Sequence, residues 1–467
     1  MEDQNRGPEP NAIAPAMTRR HVAAVGLGAM IVPRHVLGGT GFQAPSDTLR
    51  IAAVGIGGMG RRYIQGCDSQ RIVALCDVDH TFAAPVFRKY PGARPYRDYR
   101  LMFDKEADNI DAVIVATPDH SHALVTLAAL RLHKHVYCAK PLTHSVGEGR
   151  KVLAAARDAG VATQMSVQSC ASDEACSTAE LLLAGTIGAV KEVHVWCDHP
   201  LYPAGLVRPA EQPPVPAGMN WDLWIGPAPH RPYHPAYHPW IWRSWWDFGS
   251  GTVADMLCHA MHVFYSALEL GDPSLIYASR STMHTGTLRM EPDGKEYLPP
   301  RVETPETESY STMVSWSFPA RGHQPPLMMH WYDGGLRPHR PIELSPHVPL
   351  PTSGVLFVGD KGKMLTSYSG GNVHLLPETK FKDHQPPPKT LSRSTGHYSE
   401  WVAACKGGKP ANCNFQFGGK MSEIAQLGTL AARTARLLEW DAKNMRITND
   451  AEADALLRPS YRRGWEA

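Results

Sequence analysis

Residues 49–67 read LRIAAVGIGGMGRRYIQGC, an apolar strand that runs into Gly55, Gly57 and Gly60, with a helix expected to begin near Met59. This is a GxGxxG pattern in the setting that gives it meaning. The first glycine permits a tight turn, the second lets backbone approach a pyrophosphate, and the third lets the helix pack on the strand. The phosphates then meet free N–H groups at the helix start, so Gly55, Gly57, Gly58, Met59 and Gly60 are the candidate dinucleotide loop. A second strand, RIVALCD, ends at Asp77, 22 residues after Gly55. A carboxylate there can accept from the hydroxyls of an adenosine ribose and repels a 2′-phosphate, which favours NAD over NADP.

Outward from this unit, strand-like runs recur at 111–116 (DAVIVA) and 135–138 (HVYC), with helix-length stretches at 123–132 and 146–159 between and after them. Strands alternating with helices predict a parallel, doubly wound α/β sheet, whose ligands sit beyond the carboxyl ends of the strands. Two segments occupy that edge: TPDHSH (117–122) and AKPL (139–142). Thr117, Pro118, His120 and His122 either cap and start the next helix or lie beside a nicotinamide ring, and the pattern alone leaves both open. Lys140, followed by Pro141, stands between an apolar strand and a proline. Desolvation there would lower its ammonium pKa toward useful proton transfer.

The whole chain has 467 residues, with 47 Lys+Arg against 45 Asp+Glu and a net charge of +2, a balance that argues against nucleic acid as a partner. Apolar residues at 43% and charged residues at 20% exclude a disordered chain, and 40 Gly with 40 Pro are too many for a helix bundle. The 9 cysteines are odd in number and contain no CxxC pair, so neither a closed zinc site nor a complete disulfide framework is implied. Near the start, TRRHVAAVGLGAMIVPRHVL (18–37) sets Arg19 and Arg20 ahead of a short apolar run from Val22 to Val32. The run is too short to cross a bilayer and reads as a twin-arginine export signal, with Met17 an alternative start; a basic tail on a cytoplasmic protein is the other reading. The expected location is periplasmic or otherwise extracytoplasmic, with no stable membrane span.

The second half is different. Between Pro200 and Pro239 there are eleven prolines, and from His194 to His262 lie seven of the twelve tryptophans and seven of the 23 histidines. Indole faces stack on sugar C–H surfaces and imidazoles bond hydroxyls, so a carbohydrate cleft involving Trp242 and Trp245 is one reading; aromatic stapling of a proline-rich loop is the other. Glycines 249 and 251 lead into a helix expected to end near Gly271, on which Asp255 and His259 share a face, as do Cys258 and His262. A carboxylate-held imidazole can accept an alcohol proton. Zinc on Asp255, His259 and His262 is the rival, but the spacing lacks HExxH and no metal is expected. From Ile276 onward SLIYASRST, YSTMVSWSF, PLMMHWYDGG and SGVLFVGDKGKMLTSY predict the strands of a large open, mostly antiparallel sheet, on which His330, Tyr332 and Asp333 either face the cleft or are satisfied within the packing. Lys420–Glu439 reads as a helix. The expected boundaries are signal and linker 1–44, dinucleotide domain 45–168, substrate domain 169–440, and a tail 441–467 packing back on the first half.

The glycine loop, Lys140-Pro141 and the Asp255…His259 helix occur in the order of the Gfo/Idh/MocA oxidoreductases, which this chain resembles over nearly its whole length. IVPRHVLGG (31–39), NWDLWIGPAP (220–229), RPYHPAYHPWIWRSWWDFGSG (231–251), HWYDGGLRP (330–338) and ITNDAEADALL (447–457) resemble the twin-arginine-exported, sugar-acting branch. The resemblance implies a Rossmann domain, an α/β domain with a wide sheet, a bound nicotinamide dinucleotide, and hydride transfer at a carbohydrate or cyclitol carbon. It puts Lys140 in the place of the Glu-Lys-Pro lysine and gives Asp255 and His259 the rest of the proton-handling group. Substrate contacts are expected from Gln168, Trp242, Trp245, His262 and Tyr332. Three positions depart from the pattern: Ala139 replaces the glutamate, Ser166-Val167-Gln168 replaces Gly-Asn-Gln, and His262 replaces an aspartate. The expected activity is an NAD-dependent sugar or glycoside dehydrogenase, with oxidation at C3 of a glucoside favoured by the resemblance. The alternatives are an NAD-dependent glycosidase working by oxidation, elimination, hydration and re-reduction, and a catalytically silent sugar-binding protein. A homo-oligomer, dimer or tetramer, is expected.

Overall fold

The computed structural model describes residues 47–466 apart from 199–202, 285–288, 298–300 and 303–305. The expected signal, with Arg19 and Arg20, lies outside the described residues.

The opening strand is β1 (Arg50–Val54), whose Ile51, Ala52 and Ala53 are fully buried on both faces, as a strand at the centre of a covered parallel sheet must be. It is flanked by β2 (Arg71–Cys76), β3 (Arg94–Tyr96), β4 (Ala112–Val115), β5 (His135–Cys138) and β6 (Thr163–Met165). Their order across the sheet is β3-β2-β1-β4-β5-β6, all parallel. The order reverses between β1 and β4, which opens a crevice at their carboxyl ends. The helix expected at 146–159 spans Val146–Ala159, started by Ser145, whose side chain accepts from Glu148 N while Glu148 reciprocates, and ended by Gly160 in the left-handed region.

The second sheet has nine strands. β7 (Val190–Trp196) pairs in parallel with β14 (Leu327–Tyr332), and every other neighbour is antiparallel: β8 (Leu275–Arg280), β13 (Thr312–Phe318), β15 (Gly354–Gly359), β16 (Lys363–Ser367), β17 (His374–Leu376), β18 (Leu438–Asp441) and β19 (Arg446–Ile447). Short pairs, β9 (Met283–His284) with β12 (Arg301–Val302) and β10 (Arg289–Met290) with β11 (Glu296–Tyr297), lie between β8 and β13. One face of the sheet is dry: Ile276, Val314, Trp316, Met329 and Trp331 are buried.

The helix expected at 420–439 runs from Phe415 to Thr434 and then gives way to β18. It joins the two halves. Gly418 lies against Met165 of β6, and Gly428 lies so close to Trp316 of β13 that a Cβ there would be 2.2 Å from the indole, whose Nε1 donates to Ile424 O at 3.0 Å. The expected helix from Gly251 to Gly271 is instead two short pieces, Gly251–Met256 and Cys258–Met261, followed by turns. The tail reaches the first half: Tyr461 OH donates to Glu148 at 2.6 Å and the Arg100 guanidinium stacks on Trp465 at 4.4 Å.

Candidate active site

A cavity of about 300 Å³ occupies the crevice where the first sheet reverses its order. Its floor is the glycine loop. Gly55 has φ +80°, and a Cβ on it would lie 2.6 Å from the Ala116 carbonyl; one on Gly60 would lie 2.0 Å from Gly55 O, so both residues serve the close approach of backbone to backbone. Gly57, Gly58 and Met59 line the cavity; a Cβ on Gly57 would strike the Phe82 ring, whereas Gly58 borders open space. Gly60 sits behind them, packing helix on strand. Asp77 lines the cavity too, but its oxygens are already engaged: Oδ2 accepts from Ile56 N at 2.8 Å and Gly57 N at 3.0 Å, and Oδ1 from Asp79 N at 2.9 Å. Its nearest work is to shape the loop.

The segments after β4 and β5 form the next wall. Thr117, Pro118 and His122 line it. His122 lies between the two segments, with Nε2 2.8 Å from Thr117 O and Nδ1 2.8 Å from Pro141 O; burial pushes its pKa down to about 4, and the neutral ring donates to one of the two carbonyls. Pro141 contributes through that carbonyl. His120 does not join the site. Its ring lies between Phe248 O at 3.1 Å and Trp224 O at 3.0 Å, where it ties the helix Asp119–Arg131 to the aromatic loop, because the residue two positions along a helix points about half a turn away.

Lys140 is aimed across the cavity at the second half. Its ammonium lies 2.5 Å from Asp255 Oδ1 and 2.6 Å from Asp255 O, a contact spanning 115 residues, and its backbone N–H donates to Ser166 Oγ at 3.0 Å. Asp255 is 3% exposed. Burial alone would raise its pKa, but Lys140 first and Arg243 second outweigh that and hold it down at about 2, fully ionised. His259 lines the same cavity, its pKa driven down to about 3 by burial and then by the Lys140 charge, with Asp255 opposing. The predicted amine, carboxylate and imidazole therefore meet in one space, although Asp255 serves Lys140 more directly than it orients His259.

Of the expected substrate contacts, Gln168 and Trp242 line the cavity. Trp245 does not: it is fully buried, its Nε1 donating to Ala236 O at 2.9 Å within the aromatic cluster of Trp221, Trp224, Tyr237 and Phe248. His262 does not line the cavity either; it follows the short helix Cys258–Met261, and its Nε2 is buried with no hydrogen-bond partner among the described residues. Tyr332 bonds His194 Nδ1 at 3.0 Å on the outer face of the second sheet, and His330 bonds Ser315 at 2.8 Å beside it. Asp333 is buried, accepting from Thr312 N and from Trp331 Nε1. None of these three lines the cavity: His330 and Tyr332 share the face of β14 opposite Met329 and Trp331, and Asp333, just past the strand, is spent on Thr312 N and the Trp331 indole.

Two residues not singled out from the sequence belong to the site. Arg243 lines it, stacked on Trp242 at 4.1 Å and Trp240 at 4.5 Å, with its Nε 3.8 Å from Asp255 Oδ1. Asp119 lines it as well and accepts from Ser250 N at 3.0 Å; burial and the nearby Asp255 raise its pKa to about 7. For Arg243 the available signal was a guanidinium amid tryptophans in WIWRSWW; Asp119 has the local pattern of an ordinary helix start. Among the described residues no three His, Cys, Asp or Glu side chains are arranged to hold a metal ion.

Residues 49–167 match the model of the Gfo/Idh/MocA oxidoreductase family's NAD-binding Rossmann fold, and residues 197–274 match that of its C-terminal α/β domain. Together the two matches cover 197 of the 467 residues. The chain is 32% identical over 124 residues to the inositol 2-dehydrogenase of Rubrobacter xylanophilus, covering 26% of this chain and 35% of that one. With the inositol 2-dehydrogenase of Salmonella typhimurium it shares 34% identity over 119 residues, 24% of this chain and 34% of that one. The match thus spans about a third of the length of these curated relatives. The fold is shared with the WlbA dehydrogenase of Bordetella pertussis, solved in complex with NADH and UDP-GlcNAcA: TM-score 0.56, 15% identity, covering 84% of this chain and 99% of that one.

Proposed function

We propose that this protein is an NAD-dependent dehydrogenase acting on a ring hydroxyl of a sugar, glycoside or cyclitol, with C3 of a glucoside the favoured position. The observation that carries this reading is the meeting of Lys140, Asp255 and His259, from two sheets, in the cavity floored by the glycine loop. The residues present fit a nicotinamide dinucleotide. Gly58 leaves open space at the loop where a phosphate needs it, and Thr117 Oγ1, buried on the cavity wall, has no partner among the described residues. Gly57, Gly58 and Met59 would hold the pyrophosphate, Asp77 would stand by the ribose and exclude a 2′-phosphate, and Thr117 and Pro118 would flank the nicotinamide. When bound, that ring supplies hydride acceptance.

The protein's own groups do the rest. Lys140 donates to the substrate oxygen and stabilises the negative charge that develops there, while Asp255 keeps the amine aimed. His259, neutral, accepts the hydroxyl proton. Its low basicity beside Lys140 is relieved as the alkoxide forms, because that negative charge lies between the two and offsets the cation. Trp242 and Gln168 bound the space for the sugar ring.

Purified protein should carry or bind NADH and change absorbance at the reduced-nicotinamide band when given glycosides or their keto forms. Replacing Lys140 with Met should retain the nicotinamide and lower turnover by about a hundredfold or more; turnover at the wild-type rate would refute the assignment. We also propose that the chain self-associates through the outer face of the second sheet. Tyr277, Met313, Met328 and Leu275 stand on that side of β8, β13 and β14, interleaved with Ser279, Ser315 and Ser317, and are 50%, 39%, 36% and 38% exposed, large apolar side chains for a lone chain to leave in water.

A further inference from the structure

A second cavity, of about 310 Å³, lies behind Gly249 and Ser250, the backbone that starts the helix carrying Asp255. Most polar groups on its walls already have partners. Glu148 accepts from Tyr461 OH at 2.6 Å, Ser145 N at 2.9 Å and His144 N at 3.1 Å. Asp247 is ion-paired with Arg231, and Arg458 lies 3.6 Å from Asp454. The His144 ring is hydrogen-bonded at Gly249 O, and burial pushes its pKa down to about 3, so it brings no charge.

Arg433 is the exception. Among the described residues its guanidinium makes no hydrogen bond and no ion pair; it faces the ring of Trp246, 6.0 Å away. The opposite charge that acts on it, Asp247, is already committed to Arg231. Trp246, on the same wall and 6% exposed, has an Nε1–H buried without a partner among the described residues. A half-buried guanidinium open to the cavity and a buried indole N–H are both donors, and neither has an acceptor among the described residues. Such donors are costly to leave unmet, and the planar fork of an arginine matches the two oxygens of an oxyanion.

We propose that this second cavity is a binding site for a small oxyanion-bearing molecule, a carboxylate or a phosphate, held by Arg433 and Trp246 and separate from the dinucleotide cavity. The hydrogen bond from Thr429 to Ser250 O, at 2.8 Å, and that between Ser250 N and Asp119 tie this wall to the catalytic helix, so occupancy also steadies the backbone that leads to Asp255.

The test is calorimetry on the full chain saturated with NADH, so that the glycine loop does not compete for the probes, at constant ionic strength set with chloride. Inorganic phosphate and acetate are the two probes; tighter binding of the first assigns a phosphate ligand, of the second a carboxylate. Arg433→Gln should weaken the tighter probe by about tenfold or more, and Trp246→Phe by a smaller factor. Arg433→Lys keeps the charge, removes the fork and should also weaken binding, which guards against a Gln variant that fails to fold. Unchanged affinity in a folded Arg433 variant, or a wild-type response no different from that to chloride, would overturn the site. The Arg433 dependence is read whether or not the first cavity proves catalytic, so the two readings fail separately.

Discussion

Asp255 shows how one residue sets the charge of the site. With Lys140 at 2.5 Å and Arg243 at 3.8 Å, two cations face one carboxylate, and the surplus charge suits an oxyanion forming between them. Nearby, Glu308 carries the opposite stress. Its Oε2 accepts from Thr252 N at 2.6 Å, its Oε1 has no partner among the described residues, and burial raises its pKa from 4.5 to about 7. The folded state therefore holds this proton more tightly than the unfolded chain does. Its contribution to stability is complete below about pH 4.5, declines as the pH rises toward about 7, and then levels off. Glu308→Gln keeps the acceptor and removes the titration. Urea unfolding should show the wild type losing stability relative to this variant between those pH values, and a difference independent of pH would show that Glu308 does not titrate in that range.

At the scale of elements, the long helix Phe415–Thr434 depends on what it lacks. Alanine normally stabilises a helix by about 1 kcal/mol over glycine. At Gly428 the new methyl would lie 2.2 Å from the Trp316 ring, which is fully buried and fixed by its bond to Ile424 O. Overpacking of about 1–3 kcal/mol should outweigh the propensity gain, so Gly428→Ala lowers the thermal midpoint. A raised midpoint would mean that helix and sheet are not in the contact described. The broken catalytic helix is a similar case. Ser250, at its start, is held by Asp119 from the first half and by Gln426 and Thr429 from the long helix, and Gly251 follows at φ +67°. Distant contacts, more than the local run of helix formers, set where Asp255 and His259 point.

The whole molecule is two sheets, with the long helix packed on both and the first cavity drawing on both halves. The second sheet keeps its dry face on that helix and turns the other outward, where the stacked rings of His194 and His330 lie 4.9 Å apart among the exposed apolar side chains. Self-association through this face predicts that light scattering on eluted protein gives a multiple of the 51.3 kDa chain mass, and that Tyr277→Glu with Met313→Glu shifts it toward the single chain while leaving nicotinamide binding in place. A wild-type protein that elutes as one chain would end that proposal.

The first half was legible in the sequence because its signals are local. A glycine forced to positive φ at Gly55, a reciprocal cap at Ser145 and Glu148, and apolar runs of strand length each act over a few residues, and strands alternating with helices leave one economical sheet. Lys140, Asp255 and His259 could be shortlisted for the same reason, their residue types and short-range spacing being chemical. The aromatic segment was not legible. Trp242 and Trp245 stand three residues apart in one run of tryptophans, yet one lines the cavity and the other is sealed in a ring cluster. His122 and His120 divide likewise, and Asp77 commits its oxygens to its own glycine loop. Such outcomes depend on which neighbours packing brings to a side chain, from Ala236 beside Trp245 to Phe248 beside His120, and residue type and spacing do not name those neighbours.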